Sequence, residues 1–364
     1  METLALKPAA NAVVLPSPVF WRGRKVFLTG HSGFKGSWLL LLLDRLGADV
    51  TGFSLAPPTD PSMFEMVGGA GLCRHIIGDI RDLGAVERAM DEAQPQIVLH
   101  LAAQPLVRAS YTSPVETYAT NLMGTVHVLD ACRRSPSVRT IVSITTDKCY
   151  SNDGRETGYG EDDRLGGHDP YSNSKACAEL AAAAYRDSFL AQGRIGLATA
   201  RAGNVIGGGD FADDRLVPDA ARAFAAGRPL AVRNANATRP WQHVLEPLVG
   251  YLLLAEKLHA DPATFARGWN FGPSPQDVAP VGRVVEGFSR HWGAAHGIVP
   301  QPGTHPHEAA TLTLDSSAAI DAIGWQPRLD LDEALKWSAD WYRTAAQSGD
   351  VVALTQDQIN HYLS

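Results

Sequence analysis

Tyr171 and Lys175 stand four residues apart in the string Tyr-Ser-Asn-Ser-Lys, a spacing that puts both side chains on one face of a helix, one turn apart. An ammonium beside a phenol favours the phenolate, which would make Tyr171 a base for an alcohol or sugar hydroxyl. Upstream, Thr145-Thr146-Asp147-Lys148-Cys149-Tyr150 closes an apolar run and sets an acid directly beside an amine. Oxidising an alcohol needs only a hydroxyl next to a Tyr/Lys pair, whereas removing water needs a further acid and a further base. On the local string alone, Asp147 and Lys148 read equally well as solvated loop charges. A third string, Thr29-Gly30-His31-Ser32-Gly33-Phe34-Lys35-Gly36, has the GxxGxxG pattern of a phosphate-binding turn. There Gly30 allows the tight turn, Gly33 lets a pyrophosphate approach the backbone, and Gly36 lets the following helix pack close to the sheet.

These groups need elements that bring them to one edge. Apolar runs at Lys25 to Thr29, Asp49 to Ser54, Ile76 to Gly78, Ile97 to Leu101, Thr140 to Thr145 and Ile195 to Ala200 read as strands. Between them, Gly36 to Leu46, Leu83 to Ala93, Thr117 to Arg134 and Tyr171 to Phe189 read as helices. Alternation of this kind predicts an α/β fold, a Rossmann-type doubly wound parallel sheet, with the glycine turn, Asp147 and Tyr171 on its carboxyl edge. After Gly203 the rhythm breaks into a Gly-Gly-Gly triplet and pieces rich in Pro and Arg, so a smaller mixed α/β C-terminal lobe for the substrate is expected over 204–364. The dinucleotide-binding domain is expected over 20–203 with returning segments near 243–273, and residues 1–19 as a flexible extension.

The chain of 364 residues is 45% apolar and 20% charged, which excludes disordered, collagenous and coiled-coil classes. A net charge of −7 argues against non-specific binding to nucleic acid or anionic membrane. Cys73, Cys132, Cys149 and Cys177 lie far apart with no zinc spacing, so neither a disulfide framework nor a metal site is expected. The apolar run Leu39 to Leu43 is too short for a bilayer and no signal peptide is read, which predicts a cytoplasmic protein.

Within the dinucleotide reading, the acid expected after the second strand to bind ribose hydroxyls is replaced by Ser54-Leu55-Ala56. No arginine stands in its place, so NAD is favoured over NADP, with His31 and Lys35 the candidates to meet a 2′-phosphate. Asp79 could meet the adenine amino group, but Asp79 and Asp82 serve equally as a turn residue and a helix N-cap.

The strings TGHSGFKGSW, HLAAQPLVRASY, TTDKCY, YSNSK, ARAGNVIGGGD, TRPWQHVLEPL and HEAATLTLDSSAA together resemble the nucleotide-sugar branch of the extended short-chain dehydrogenase/reductase superfamily, from about Phe20 onward. Within that branch they look most like the dehydratases of CDP-glucose, whose triplet has the form Thr146-Asp147-Lys148 where the dTDP-glucose enzymes carry Thr-Asp-Glu. The resemblance implies a bound-NAD redox cycle. Tyr171, with Thr146 and Lys175, would deprotonate the sugar 4-hydroxyl as NAD takes the C4 hydride; Lys148 would help remove the C5 proton, Asp147 would protonate the departing 6-hydroxyl, and the hydride would return to C6. Lysine as that base must be neutral at that moment. The split of roles between Asp147 and Lys148 stays open.

The resemblance further implies cofactor contacts from Gly30, His31, Gly33, Phe34, Lys35, Gly36, Asp79, Ile80, Ala102, Ala103, Gln104 and Asn121 besides Tyr171 and Lys175. For a CDP-sugar substrate it implies Asn204 and Arg239 on the diphosphate. Arg108, Arg215, His243 and His307 are plausible additions, each as readily a surface charge or a structural group. It implies a homodimer or tetramer paired through the Thr117–Arg134 and Tyr171–Phe189 helices, although the alanine face of the second could pack inside one subunit. A nucleotide-sugar 4-epimerase, a dehydratase of another nucleotide sugar and a non-catalytic NAD sensor are the competing readings; the intact Thr146, Tyr171 and Lys175 argue against the sensor.

Overall fold

The apolar segments fold into β1 (Lys25–Thr29), β2 (Asp49–Ser54), β3 (Arg74–Ile77), β4 (Ile97–His100), β5 (Thr140–Ile144) and β6 (Gly196–Ala202). They continue with β7 (Asn204–Ile206), β8 (Leu230–Val232), β9 (Thr238–His243), β10 (Gly268–Phe271), β11 (Val278–Pro280) and β12 (Ile298–Pro300) in a computed structural model that describes residues 13–364 apart from 156, 191–192, 294–296 and 302–310. Seven strands form one parallel sheet in the order β10-β6-β5-β4-β1-β2-β3. Its central strands are buried on both faces, every residue of β5 and of β6 included, which is why they read as unbroken apolar runs. The order reverses beside β1, and the crevice outside the carboxyl ends there is where such sheets take ligands.

Helices cover both faces. On one side the run Leu39 to Leu43 lies buried in the Phe34–Arg45 helix, with the Leu245–Ala260 helix beside it. The latter is apolar nearly all round because it is enclosed by the sheet and the second lobe. The other face is covered by the Leu83–Ala93 and Gly124–Arg134 helices. The expected helix over 117–134 instead has a π-helical turn at Ala119–Met123, and the expected helix over 171–189 runs Pro170–Tyr185 and ends in another π turn. Such turns often mark functional sites. The first one carries Asn121.

Past β6 the chain builds a three-stranded sheet, β11-β9-β7, and a two-stranded one, β12-β8, while β10 returns to the end of the main sheet. The leading segment is not loose throughout. Ser17 caps the Pro18–Trp21 helix, and both the Ser17 N–H and Trp21 Nε1 donate to Glu256 Oε1 at 2.7 Å. The buried Trp21 gives that anchor its apolar contribution, whereas residues 1–12 lie outside the described residues. No described helix is long and apolar enough to cross a membrane.

Candidate active site

The glycine turn does what its pattern requires. Gly30 has φ +73°, and a Cβ there would stand 2.7 Å from the Ala102 nitrogen. A Cβ on Gly36 would meet the Gly30 carbonyl oxygen at 2.1 Å, so turn and helix touch through bare backbone. Gly33 is the helix N-cap and no side chain caps it. The first-turn N–H groups, at the positive end of the helix dipole, are thereby left to an anion.

Around that turn, Thr29 Oγ1 accepts from the Ala102 N–H at 3.2 Å, and Asn121 Oδ1 accepts from the Gln104 N–H at 2.8 Å. Asn121 Nδ2 donates to the Ser174 hydroxyl at 2.9 Å, which links the cofactor side to the Tyr171 helix. Ile80 is buried, and its carbonyl meets His127 Nδ1 at 3.0 Å; Ala103 and Phe34 are half-buried along the same crevice. Asp79 is turned back on Arg81, with Oδ2 accepting from Nε at 2.8 Å, and that guanidinium holds its carboxyl below the usual carboxylate range. Asp82 caps the next helix, accepting from the Ala85 N–H at 3.1 Å.

Burial changes the charge of both basic residues of the glycine turn. His31 is buried in the space that the missing side chain of Gly52 leaves, with Nε2 2.6 Å from His75 Nδ1. Burial, then His75, lower its pKa to about 4, so at neutral pH it offers no charge to a 2′-phosphate. Lys35 is perturbed as well. Burial lowers its pKa to about 7, helped by the charges of Arg215, Lys175 and Lys148 and opposed by Asp147. At the end of β2, where an acid was missing, the Ser54 hydroxyl donates to the Ser32 hydroxyl at 2.8 Å, a pair that spacing gave no reason to single out.

The catalytic candidates meet where β5 ends. Asp169 caps the Pro170–Tyr185 helix and Pro170 opens it, which puts Tyr171 and Lys175 in its first two turns. The Tyr171 N–H donates to Ser110 Oγ at 3.1 Å, and Lys175 Nζ donates to the Ile144 carbonyl at 3.1 Å. Asp147 is only 1% exposed; Thr146 Oγ1 donates to its Oδ1 at 2.9 Å, and its buried Oδ2 has no protein partner. Asp147 is therefore not a solvated loop charge. A buried carboxylate oxygen with nothing to bond is costly unless a ligand or proton supplies the partner.

Tyr171 does not match the expected low pKa. Burial raises it to about 12, Asp147 adds to the rise, and the Thr146 hydrogen bond and the Arg215 charge oppose it. Lys175 falls to about 8 by burial, with Glu179 opposing the fall.

Among the substrate candidates, Asn204 opens β7 with its buried Oδ1 unpartnered. Arg239 is buried in β9, its Nη1 donating to the Thr238 carbonyl at 2.8 Å. Arg215 lies 3.3 Å from Asp210 and Arg108 lies 2.6 Å from Asp214. His243 is a core residue, fully buried between the Trp38 and Trp337 rings at 5.6 and 5.4 Å, and burial lowers its pKa to about 3. His307 lies outside the described residues.

Sequence reasoning did not single out Glu179, Arg201 and Ser110, which stand immediately behind the Tyr171 and Asp147 groups. Glu179 follows Lys175 by four residues, a signal that helical spacing does provide.

A parallel sheet with an uncapped glycine turn on one side of its switch point and a Tyr/Lys pair beside a buried acid on the other defines a short-chain dehydrogenase/reductase of the extended type. The chain belongs to the NAD dependent epimerase/dehydratase family, whose model matches residues 26–266. It is 47% identical over 350 residues, 95% of this chain and 98% of the relative, to the CDP-glucose 4,6-dehydratase of Salmonella typhimurium. A dTDP-glucose 4,6-dehydratase of Streptomyces antibioticus is 29% identical over 73% of this chain and 75% of its own. Among solved structures, the dTDP-glucose 4,6-dehydratase of Bacillus anthracis in complex with NAD superposes with a TM-score of 0.76 at 20% identity, covering 91% of this chain and all of that one. The cofactor is NAD, and the bare glycine cradle, the uncapped helix and the charge-free ribose end all fit it.

Proposed function

We propose that this enzyme converts CDP-D-glucose to CDP-4-dehydro-6-deoxy-D-glucose and water. NAD, when bound, would supply the hydride chemistry, oxidation at C4 and reduction at C6. Tyr171 accepts the proton of the 4-hydroxyl; Thr146 and Arg215 oppose the rise that burial gives its pKa, and Lys175 stands one turn further along the same helix. The 4-ketone acidifies C5. Lys148 takes the C5 proton, Asp147 protonates the 6-hydroxyl so that it leaves as water, and Lys148 returns a proton to C5 as C6 is reduced; the proton that Tyr171 took from the 4-hydroxyl replaces the one Asp147 gave up, so redox and proton balances both close. Asn204, Arg239, Arg215 and Arg108 hold the diphosphate, where an arginine fork suits phosphate oxygens.

The observation that carries this reading is the buried, half-unpartnered carboxyl of Asp147 beside Lys148, an acid and an amine that alcohol oxidation alone does not need. The relative at 47% identity supports the cytidine nucleotide. A homodimer or tetramer in the cytoplasm, serving deoxysugar synthesis for surface polysaccharide, belongs to the same proposal. Exposed Met123, Leu180 and Phe189 on the two expected pairing helices support the pairing, whereas Ala176, Ala178 and Ala182 pack inside the subunit.

The test is to incubate the protein separately with CDP-, UDP-, dTDP- and GDP-glucose and follow the alkali-induced absorbance of a 4-keto-6-deoxy sugar. A ketone from CDP-glucose alone is expected. An epimer in place of the ketone would refute the proposal.

A further inference from the structure

The Thr146-Asp147-Lys148 turn is weakly held from within. Thr146 Oγ1 accepts the Lys148 N–H at 3.3 Å, and the Cys149 N–H reaches the Thr146 carbonyl at 3.4 Å. Both ends of the turn, however, are tied to one buried ion pair. Arg201 Nη2 donates to Glu179 Oε2 at 2.8 Å, and the two side chains are 6% and 3% exposed. At the leading end, the Thr145 hydroxyl donates to Glu179 Oε1, and the Thr145 N–H donates to the Ala200 carbonyl at 2.9 Å. At the trailing end, Arg201 Nη1 donates to the Tyr150 hydroxyl at 2.7 Å, and that hydroxyl donates to Asn270 Oδ1 at 2.7 Å. Thr199 Oγ1 completes the carboxylate at 2.7 Å, and the Glu161 carbonyl accepts from Arg201 Nη1 at 2.9 Å.

A buried ion pair contributes little net stability over a well-packed apolar pair of the same volume, because desolvation offsets the attraction. What this one does is geometric. We infer that Glu179 and Arg201 are positioning residues that clamp Thr145 and Tyr150, the residues on either side of the turn, and so set where Asp147 and Lys148 stand relative to Tyr171. Glu179 lies one helical turn beyond Lys175, so the clamp refers the turn to the same helix that carries the Tyr/Lys pair. The inference rests on the dehydratase reading, since only water removal needs the placement of Asp147 and Lys148.

Removing either partner of the ion pair would leave a buried charge and could unfold the chain, so the test cuts the tethers instead. Tyr150→Phe and Thr145→Val each delete one hydroxyl, and their double variant deletes both. Full-length enzyme is assayed with CDP-glucose carrying deuterium at C4 or at C5. Misplacement of catalytic groups by a fraction of an ångström predicts kcat lower by about ten- to a hundredfold in each single variant, with KM for CDP-glucose within about twofold. The C5 isotope effect on kcat should rise and the C4 effect should shrink, because the elimination becomes slower relative to the oxidation. The double variant should lose less than the product of the single losses, since both tethers fix one turn. Arg201→Lys, which keeps a charge but cannot fork to both partners, should show the Tyr150→Phe pattern. A merely structural role would lower the amount of active enzyme and leave the isotope effects as in the parent protein, and that result overturns the inference. So does a kcat within twofold of the parent. If the parent enzyme makes an epimer in place of a ketone, the dehydratase reading falls and this inference falls with it; if it makes the ketone while the isotope effects of the variants stay put, only the clamp is refuted.

Discussion

Glu246 should make the stability of the whole protein depend on pH. It is fully buried in the first turn of the Leu245–Ala260 helix, where Oε1 accepts the Leu329 N–H at 2.7 Å and the Arg328 N–H at 3.0 Å, and Oε2 accepts the Tyr362 hydroxyl at 2.6 Å. Burial raises its pKa from 4.5 to about 7, against the opposing pull of Tyr362, the two N–H groups and the Arg328 charge. A carboxyl with a raised pKa favours the folded state fully below its unfolded value, and that contribution is lost as pH rises from about 4.5 through about 7. The rise corresponds to about 3 kcal/mol at pH 8. For 364 residues at roughly 2.1 cal/mol/K each, that is about 4 °C in Tm. Glu246→Gln keeps the acceptor for the two N–H groups, removes the titration and costs about 1 kcal/mol for the Tyr362 bond. The variant should therefore match the parent protein near pH 5 and exceed it by about 2 kcal/mol, or roughly 3 °C, at pH 8. Calorimetry of both proteins from pH 5 to pH 8 reads the difference directly, and all other titrating groups cancel. A difference in Tm that stays constant across that range would refute the argument that Glu246 titrates inside the fold.

Tyr171→Phe should lower ketone formation by about a hundredfold or more while cofactor binding, followed by calorimetry, stays within a few-fold. Asp147→Asn should slow water loss by a similar factor, read as a larger C5 isotope effect on kcat with substrate affinity kept. Gly30→Ala must place a Cβ 2.7 Å from the Ala102 nitrogen at a left-handed φ, so it should weaken NAD binding at least about tenfold, measured by titration calorimetry. His243→Phe fills the same space between Trp38 and Trp337 with no polar atom, so KM for CDP-glucose should stay within about twofold. A large rise in KM there would restore His243 to the substrate site.

The legible part of this protein was local. Strand and helix alternation is written in apolar periodicity, and the glycine turn is legible because φ +73° at Gly30 and bare backbone at Gly36 admit no other residue. The YxxxK spacing follows from helix geometry, and the Thr-Asp-Lys triplet stands at a strand end that the apolar run before it marks. These are consequences of neighbours in the chain, which a sequence lists in order.

Tertiary structure decided what depends on residues far apart. Whether Asp147 is a loop charge or a buried acid turns on the packing around it. Tyr171 rises to about 12 because desolvation outweighs the help of Thr146 and Arg215, a balance of burial that no spacing encodes. Burial, with the charges of Arg215, Lys175 and Lys148, lowers the pKa of Lys35 to about 7, while His31 loses its charge to burial and His75. His243 lies in a string that reads as substrate-binding, yet two tryptophans separated from it by about two hundred and about ninety residues enclose it. The Glu179–Arg201 clamp joins a helix to a strand 22 residues on, and neither residue identifies its partner until the sheet forms. Sequence thus determines which groups are present and which turn each occupies; the packed sheet determines which are charged, which face one another, and therefore which can act.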